Sequence, residues 1–428
     1  MSDSLTKWAT VAATSAAVAC GINLLFKCAG GGGACGAGKA GGTKAVSRDR
    51  GPYDGMELPP HPIWRIAITG GPCSGKSSGM DAVKKEFEGK GFRVFVVPEV
   101  ATILINGGLD FGKMAATPRG VIEAQKMILQ TILRLEDSFY RLAVHAGCPC
   151  IILCDRGTMD GRAYCSPAEW EVVLQETGHT MDELRDVRYD AVIHLVTAAI
   201  GAEKFYTIAN NAARSETPEQ AAKLDEQTRV QWLGHRLVGI IDNSSDFKTK
   251  MTRVTDFVGR LVATHAPGQR ANLTVYELPA PPKELAKVTH AVEVSVHYLF
   301  PRAQYTAEQV IRRSTATSDI FYLRGHAVGG SVNYVPITAR EFTTLLEERE
   351  DKRVPVVSKR HESFFHGMHY WTVTTILAPQ QQAGRSFLQA PVGVDPKTEV
   401  PHLGAGKEVD YTQALFPKEV ASRRRLSV

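Results

Sequence analysis

The sequence predicts an α/β domain built on a parallel sheet, followed by a smaller domain that is rich in strands. Short apolar and β-branched runs alternate with amphipathic helical stretches from residue 63 to residue 280. Continuous apolar strands between helices are typical of a parallel sheet that is covered on both faces. From residue 285 onward strand-like stretches dominate, and several of them carry arginine or lysine.

Each predicted element of the first domain has a recognisable apolar pattern. The strands are Ile66–Ile68, Phe92–Val97, Cys150–Cys154, Ala191–Val196 and Leu237–Ile241, with Leu273–Leu278 as a possible sixth. The helices are Met80–Phe87, Gly120–His145 and Phe247–Thr264. A parallel sheet of this kind binds its ligand at the carboxyl ends of the strands. We therefore expect the functional residues directly after the strands.

Composition is typical of a globular protein and argues against several other classes. The 428 residues leave room for two or three domains, and 22% charged residues argue against disorder. The formal net charge of +5 is spread among many acidic residues, so it does not indicate a specific nucleic-acid partner. None of the eight cysteines follows Cys165, and no two pairs have zinc-ligand spacing, which favours reduced intracellular thiols.

The N-terminal residues predict a leader and a linker. The apolar stretch Trp8–Phe26 nearly spans a bilayer, but its many alanine, threonine and glycine residues make insertion marginal. For residues 1–28 a membrane anchor, a cleaved targeting peptide and an Ala-rich tail stay open, and we favour the anchor. The expected location is therefore intracellular and membrane-associated. Residues 29–62 predict a flexible Gly-rich linker.

The stretch after the first strand has the Gly-x-x-x-x-Gly-Lys-Ser spacing of a P-loop. Its glycines allow backbone N–H groups to turn towards a phosphate, and its lysine reaches the outer phosphate oxygens. The serine after the lysine offers a hydroxyl to Mg²⁺ at the start of a helix. The nucleotide-binding residues expected from this spacing are Gly70, Gly71, Gly75, Lys76, Ser77 and Ser78. The ligand is predicted to be Mg²⁺ with ATP or GTP.

Two carboxylates follow predicted strands. Asp155 comes directly after Cys154, where a carboxylate can hold the metal together with Ser77, although it could instead cap a turn. Glu99 follows the second strand and could orient a substrate hydroxyl or act as a base, although a surface glutamate would look the same. Arg156 and Asp160 lie in the polar loop after Asp155, and we expect this loop to face the same cleft.

The polar segment between the fourth and fifth strands is typical of the lid of a small-molecule kinase. Arg214 is the residue that would close over a transferring phosphate, with a solvated helix face as the alternative. Ala222–Asp225 only loosely imitates a guanine-reading motif, so the segment does not separate ATP from GTP. We expect His235 to be structural.

Four stretches resemble a known P-loop domain: Ile68–Ser77, Val97–Thr102, Asp155–Asp160 and Ile241–Asn243. On these motifs, residues 63–280 are similar to the domain shared by the bacterial nicotinamide-riboside kinase and the TRPL translocation defect protein family, and we expect the P-loop nucleotide-binding domain over residues 63–282. In the second family a CYTH-like triphosphate-tunnel domain follows. The resemblance therefore implies an α+β, CYTH-like antiparallel β-barrel over residues 285–416. It also implies binding of GTP and phosphoinositides and a role in trafficking.

Strands of the C-terminal domain carry five cations: Arg312, Arg313, Arg324, Lys359 and Arg360. Long cations on consecutive strands can line one wall of a basin for a phosphorylated ligand, with a solvated sheet face as the alternative. Enzymatic tunnel proteins begin with a Glu-x-Glu-x-Lys strand, but here Ser295 and His297 replace the second carboxylate and the lysine. We therefore expect binding by this domain and no triphosphate hydrolysis. Residues 417–428 form a basic tail.

Two functions are compatible with these patterns. The first is a nucleotide-binding trafficking or signalling adaptor, whose second domain binds a phosphorylated ligand such as a phosphoinositide on an anionic membrane surface. The second is a small-molecule kinase that transfers a terminal phosphoryl group to a nucleoside-like hydroxyl. The catalytic residues would be Lys76, Asp155, Glu99 and Arg214.

Overall fold

The computed structural model describes residues 61–206, 217–263, 274–283, 285, 289–328, 332–391, 400–401, 403 and 408–409. The predicted leader, nearly all of the predicted linker, Arg214 and the basic tail lie outside these residues. Among the residues described, no helix combines the length and the apolar character that a bilayer crossing requires. The predicted membrane anchor, and the membrane-associated location that depended on it, are therefore not supported.

The first part of the chain forms a parallel sheet. Its strands are β1 (Ile63–Thr69), β2 (Arg93–Val97), β3 (Cys150–Asp155), β4 (Ala191–Leu195) and β5 (Val238–Ile241). They lie in the order β2-β3-β1-β4-β5, and each neighbouring pair is parallel. The predicted α/β architecture is confirmed. The carboxyl ends of β1, β3 and β4 therefore meet at one edge of the sheet.

Helices cover both faces of this sheet. They are α1 (Lys76–Glu88), α2 (Val100–Asn106), α3 (Phe111–Met114), α4 (Pro118–Val144), α5 (Pro167–Thr177), α6 (Pro218–Val230) and α7 (Phe247–Ala263). On one face α1 and α7 bury Phe87 and Phe257 against Ile66, Ile68 and their neighbours. On the other face α4 and α5 pack against alternate residues of the same strands. Helix α5 begins with a capping box, in which Ser166 and Glu169 each accept the other's backbone N–H.

The second part of the chain forms an antiparallel sheet. Its strands are β6 (Val275–Leu278), β7 (Thr289–Leu299), β8 (Tyr305–Ser314), β9 (Asp319–Ala327), β10 (Val332–Ile337), β11 (Val357–His366), β12 (His369–Ala378), β13 (Ser386–Gln389) and β14 (Glu408–Val409). They lie in the order β10-β9-β8-β7-β11-β12-β13-β6-β14. Helix α8 (Ala339–Arg349) packs on β7, β8 and β9. Pairings among the described residues do not join the two edge strands, so closure into a barrel is not shown.

Strand β6 differs from its prediction. The sequence predicts Leu273–Leu278 as a possible sixth strand of the first domain, but Val275–Leu278 pairs antiparallel with β13 in the second sheet. Its two ends are buried, whereas Tyr276 and Glu277 in its middle are only partly buried. The pairing with β13 therefore places this strand near one edge of the antiparallel sheet and not in the parallel sheet.

The two sheets meet across a buried polar interface. A π-helical turn, Glu183–Val187, carries Arg185, whose guanidinium bonds Asp182 (2.8 Å), Asp186 (2.6 Å) and the ring of His290 on β7 (3.1 Å). Gly234 lies against the same ring with φ 102°, and an added Cβ would come within 2.2 Å of it. Close packing at this point therefore requires glycine.

Candidate functional site

The loop from residue 70 to residue 75 connects β1 with α1 and has the conformation of a phosphate cradle. Gly70 has φ 139°, and a Cβ there would lie 2.1 Å from the carbonyl oxygen of Leu195. Gly75, at φ 91°, is the N-cap of α1. The next residue, Lys76, folds back over the loop, and its Nζ lies 3.4 Å from the carbonyl oxygens of both Gly70 and Gly71. The amino end of α1 thus faces the open side of the loop.

Asp155 lies at the end of β3 beside this loop. In the sheet register it is opposite Ile68, one residue before the end of β1. Its Oδ1 is buried and has no hydrogen-bond partner among the described residues. Burial raises the pKa of Asp155 above its ordinary value, and the nearby ammonium group of Lys76 opposes this only in part. An orphaned carboxylate oxygen next to a P-loop lysine is a suitable ligand for a metal ion.

Glu99 is held beside Asp155 by two side chains. Arg156 donates from Nε to one carboxylate oxygen (2.6 Å), and Thr102 donates from Oγ1 to the other (2.8 Å). Burial raises the pKa of Glu99, but the charges of Arg156 and Lys76 outweigh it and hold that pKa below its ordinary value. The carboxylate is therefore ionised at neutral pH, and it remains a quarter exposed.

The same charged residues determine the pKa of Lys76. Burial lowers its pKa most, Arg156 lowers it further, and the neighbouring carboxylates oppose both, which leaves the pKa at about 8. Ser77 and Ser78 are exposed on the first turn of α1. The exposed hydroxyl of Ser77 and the free oxygen of Asp155 are the two groups that suit Mg²⁺. No group of three or more His, Cys, Asp or Glu residues that could bind a metal by itself occurs in the described ranges.

Asp160 has a structural part in the site. It is buried and accepts hydrogen bonds from the Thr69 hydroxyl (2.7 Å), the Gly157 N–H (3.2 Å) and the indole N–H of Trp232 (2.8 Å). These bonds fix the end of β1 immediately before the loop. Asp160 therefore affects the cleft only indirectly, because it fixes the positions of Thr69 and Gly157.

Asp225 is a site residue that the sequence did not reveal. It lies on α6 with 1% of its surface exposed, and its Oδ1 accepts the N–H groups of Gly71 (2.8 Å) and Thr197 (2.9 Å). Its Oδ2 contacts Nε2 of His194 at 3.0 Å. Both oxygens of Asp225 are therefore occupied by contacts within the protein. Asp225 is thus not available to recognise a guanine base. Its place on the buried face of α6, four residues after Ala221, was the only local signal.

The predicted lid is only partly described. Arg214 lies outside the described residues, and α6, which follows it, packs against the loop through Asp225. His235 is buried, and its ring nitrogens lie 3.0 Å from the carbonyl oxygens of Leu237 and Tyr189. Burial lowers its pKa to about 4, so the ring is neutral at physiological pH and serves a structural role.

The five cations of the second sheet do not line one wall, in contrast to the expectation from the sequence. Arg313 on β8 and Lys359 on β11 are both paired with Val294 of β7, so they share a face. Arg324 is paired with Gln309, which is four residues before Arg313 on the same strand, and it lies on that face too. We call this the interface face, because Arg313 and its neighbours pack against the π-helical turn.

The other two cations lie on the opposite face. Arg312 is paired with Ser295, and Arg360 with Glu293. Each is about half exposed and has a carboxylate partner, Asp319 for Arg312 (2.6 Å) and Glu362 for Arg360 (3.5 Å). Sequence spacing could not reveal this division, because it depends on the strand register.

The interface face also carries Lys359, Arg324 and Gln309. Arg313 donates to the Gly234 carbonyl oxygen (3.4 Å) and lies 3.8 Å from Asp186. Lys359 is buried, and burial together with the positive charge of Arg324 lowers its pKa to about 8. Gln309 lies beside Arg324 with 1% exposure, and neither of its amide atoms has a hydrogen-bond partner among the described residues.

Comparison with known proteins supports the first domain more than the second. Residues 65–250 match the model of a family described as AAA domain, which confirms a P-loop-type domain. No curated protein matches the chain. Among solved structures, the hypothetical protein NE1496 is 15% identical with a TM-score of 0.26 and covers 35% of this chain and 95% of its own.

A second solved structure, of the inorganic triphosphatase NE1496, is 14% identical with a TM-score of 0.25. The match covers 34% of this chain and 94% of that one. Likeness at this level carries no argument about the present chain. The more specific similarity to the TRPL translocation defect protein family is not confirmed.

Proposed function

We propose that the chain binds a magnesium–nucleoside triphosphate in the loop from residue 70 to residue 75. The observation that carries this proposal is the buried, unpartnered Oδ1 of Asp155 beside a cradle that ends in Lys76. A buried carboxylate oxygen without a hydrogen-bond partner is unfavourable. Such an oxygen is typical of a binding site in which the ligand provides the partner. The AAA domain match over residues 65–250 supports the same assignment.

Each group then has a role. The loop N–H groups and the amino end of α1 bind the inner phosphates, and Lys76 pairs with the terminal phosphate. Ser77 and Asp155 hold the metal. Mg²⁺ supplies charge neutralisation of the phosphate oxygens when it is bound. The Gly71 N–H is not available to the ligand, because it donates to Asp225. The same hydrogen bond fixes the position of the loop.

Titration of the full chain with ATP and GTP, with and without Mg²⁺, tests this proposal. Asp155→Asn should weaken binding at least tenfold in Mg²⁺ and by much less in its absence, because its loss affects only metal-linked binding. Asp110→Asn is the matched control, since Asp110 is exposed and caps the short α3. Equal losses with and without the metal would contradict the metal role, and wild-type nucleotide affinity in a folded Lys76→Ala variant would contradict the P-loop assignment.

Phosphoryl transfer is a second candidate function, favoured by Glu99. This ionised, partly exposed carboxylate lies near Lys76 and Asp155 and is aligned by Arg156. In the proposed step a substrate hydroxyl oxygen attacks the terminal phosphorus, the bond to the bridging oxygen breaks, and the nucleoside diphosphate leaves. Glu99 accepts the hydroxyl proton. A nucleoside-like alcohol is the substrate class that we propose.

A product assay with nucleosides as acceptors tests this step. Glu99→Gln should leave nucleotide affinity within about twofold but lower turnover by about 10²–10⁴-fold. Thr102→Val removes only one hydrogen bond to Glu99 and should have a much smaller effect. Full turnover in Glu99→Gln would refute the role of the base. Slow hydrolysis with no acceptor product would instead favour a nucleotide-dependent adaptor.

For the second sheet we propose binding of a phosphorylated ligand at Arg324, Lys359 and Gln309. Arg324 lies beside the unsatisfied buried amide of Gln309, and Lys359 is close enough to Arg324 for their charges to interact. Cations and amides of this kind suit phosphate oxygens, for which charge-assisted bonds contribute about 1.5–3 kcal/mol each. Titration with a soluble inositol phosphate or with tripolyphosphate should show at least tenfold weaker binding in the Arg324/Lys359 double Ala variant. The Arg312/Arg360 double Ala variant on the opposite face is the control, and a larger loss there would contradict the assignment.

A further inference from the structure

We propose that the ring of Phe247 is the surface on which the base of the bound nucleotide stacks. Phe247 is the first residue of α7, and 56% of its surface is exposed. Its ring also touches the phosphate loop, because a Cβ added to Gly75 would lie 3.0 Å from its Cε2. The inference rests on the proposed function and names the part of the ligand that lies beyond the phosphates.

The place of Phe247 in the fold suits a base. It follows β5, at the same carboxyl edge of the sheet from which the phosphate loop leaves β1. A ligand whose phosphates occupy the loop must extend along this edge. An exposed aromatic ring in contact with the loop provides an apolar surface for the next part of that ligand, and aromatic rings stack on bases of any identity.

The segment that presents the ring is held by hydrogen bonds before and after it in the sequence. Asn243 donates from Nδ2 to the carbonyl oxygens of Thr197 (2.8 Å) and Ile200 (2.7 Å), which joins the loops after β4 and β5. The buried Lys250 donates to Asn243 Oδ1 (2.7 Å) and to the Val196 carbonyl oxygen (2.8 Å). A platform with this support does not have to be ordered when the ligand binds, which favours affinity.

A polar group lies two residues before the ring. Ser245 Oγ is buried and has no hydrogen-bond partner among the described residues. A hydroxyl can donate to a ring nitrogen or accept from an exocyclic amine, so it suits the edge of a base. An exposed aromatic ring with an unsatisfied hydroxyl two residues away in the sequence is therefore suited to a base.

The experiment compares ligands with and without a base. The full chain is titrated calorimetrically with Mg²⁺ and ATP, GTP or tripolyphosphate. The same titrations of Lys76→Ala measure how much of each ligand binds at sites other than the loop. Phe247→Ala should weaken ATP and GTP binding about tenfold or more while changing the tripolyphosphate affinity of the loop by less than twofold. Phe247→Trp should retain nucleotide affinity. Phe300→Ala, which changes an exposed phenylalanine directly after β7, should leave these affinities unchanged.

The outcomes separate this inference from the proposal on which it rests. Nucleotide affinity that depends on Lys76 but not on Phe247 overturns the stacking role and leaves the proposed function standing. Equal losses for nucleotides and tripolyphosphate in Phe247→Ala also overturn it, because the ring would then act only by supporting Gly75. Nucleotide binding that is absent, or indifferent to Lys76, overturns the proposed function itself.

Discussion

Replacement of Asp225 should damage both the stability of the α/β part and its affinity for nucleotide. In Asp225→Ala the N–H groups of Gly71 and Thr197 stay buried without an acceptor, and each unsatisfied donor costs about 1–3 kcal/mol. The two donors together predict a loss of about 4 kcal/mol in the free energy of unfolding. For a domain of this size that corresponds to a fall of roughly 10 °C in Tm.

Asp225→Asn is the informative comparison. The amide keeps an oxygen for the two N–H groups, and its NH₂ would face Nε2 of His194, which can accept only when the ring proton is on Nδ1, an atom that is buried and has no partner among the described residues. The expected loss is about 2 kcal/mol, smaller than in Asp225→Ala, because charge assistance disappears but both backbone N–H groups keep an acceptor. Glu226→Ala changes the exposed residue next along α6 and should have little effect.

Denaturant unfolding and nucleotide titration of the three variants provide the assay. We expect the loss of stability to be largest in Asp225→Ala, smaller in Asp225→Asn and smallest in Glu226→Ala. The losses of nucleotide affinity should follow the same order, because the Gly71 peptide is part of the phosphate loop. An Asp225→Ala variant within 1 kcal/mol of wild type would refute the reasoning. A stable Asp225→Ala variant that still lost nucleotide binding would assign Asp225 a direct contact with the ligand.

Three further predictions concern the loop and the interface between the sheets. The pKa of Lys76 is about 8 in the free protein, and phosphate favours the ammonium form, so nucleotide affinity should be constant below pH 7 and fall as pH rises through 8. Affinities measured from pH 6 to 9.5 should lose this fall in Lys76→Arg, and an unchanged profile would be contrary to the assignment. Arg185→Ala removes the cation nearest to two buried aspartates, of which Asp186 keeps only the more distant Arg313, and should cost about 3 kcal/mol in denaturant unfolding; a loss below 1 kcal/mol would contradict this. Gly234→Ala should destabilise the chain strongly in thermal unfolding because its Cβ would overlap the ring of His290, whereas Gly91→Ala, also at positive φ, has nothing within 4 Å and should cost much less.

Local patterns made the first half of the site predictable. The sequence from β1 through the loop to α1 carries its own conformational signals, since Gly70 and Gly75 adopt positive φ and the apolar run before them is a buried strand. Asp155 was predictable because a residue that directly follows a buried strand lies at the ligand edge. These inferences depend on neighbours in the chain and not on distant contacts.

The features that escaped prediction depend on distant contacts. Strand β6 belongs to the second sheet because β13, more than a hundred residues later, pairs with it. Arg312 and Arg324 lie on opposite faces because of the register between β8 and β9, which the hairpin connection sets. Asp225 contacts a glycine 154 positions away. No periodicity within a short window contains this information.

Helix α6 has a consequence for how the molecule unfolds. Its Asp225 contacts the phosphate loop, and one turn later Arg229 lies over the ring of Phe365 and 3.1 Å from the Met368 sulfur at the turn between β11 and β12. Tyr370, on β12, is buried in the core of the α/β part and donates to the His235 carbonyl oxygen. Unfolding of either sheet would remove these hydrogen bonds and packing contacts from the other. The two sheets should therefore unfold together in a single cooperative transition. Truncation of the chain between them would leave neither half with a complete core.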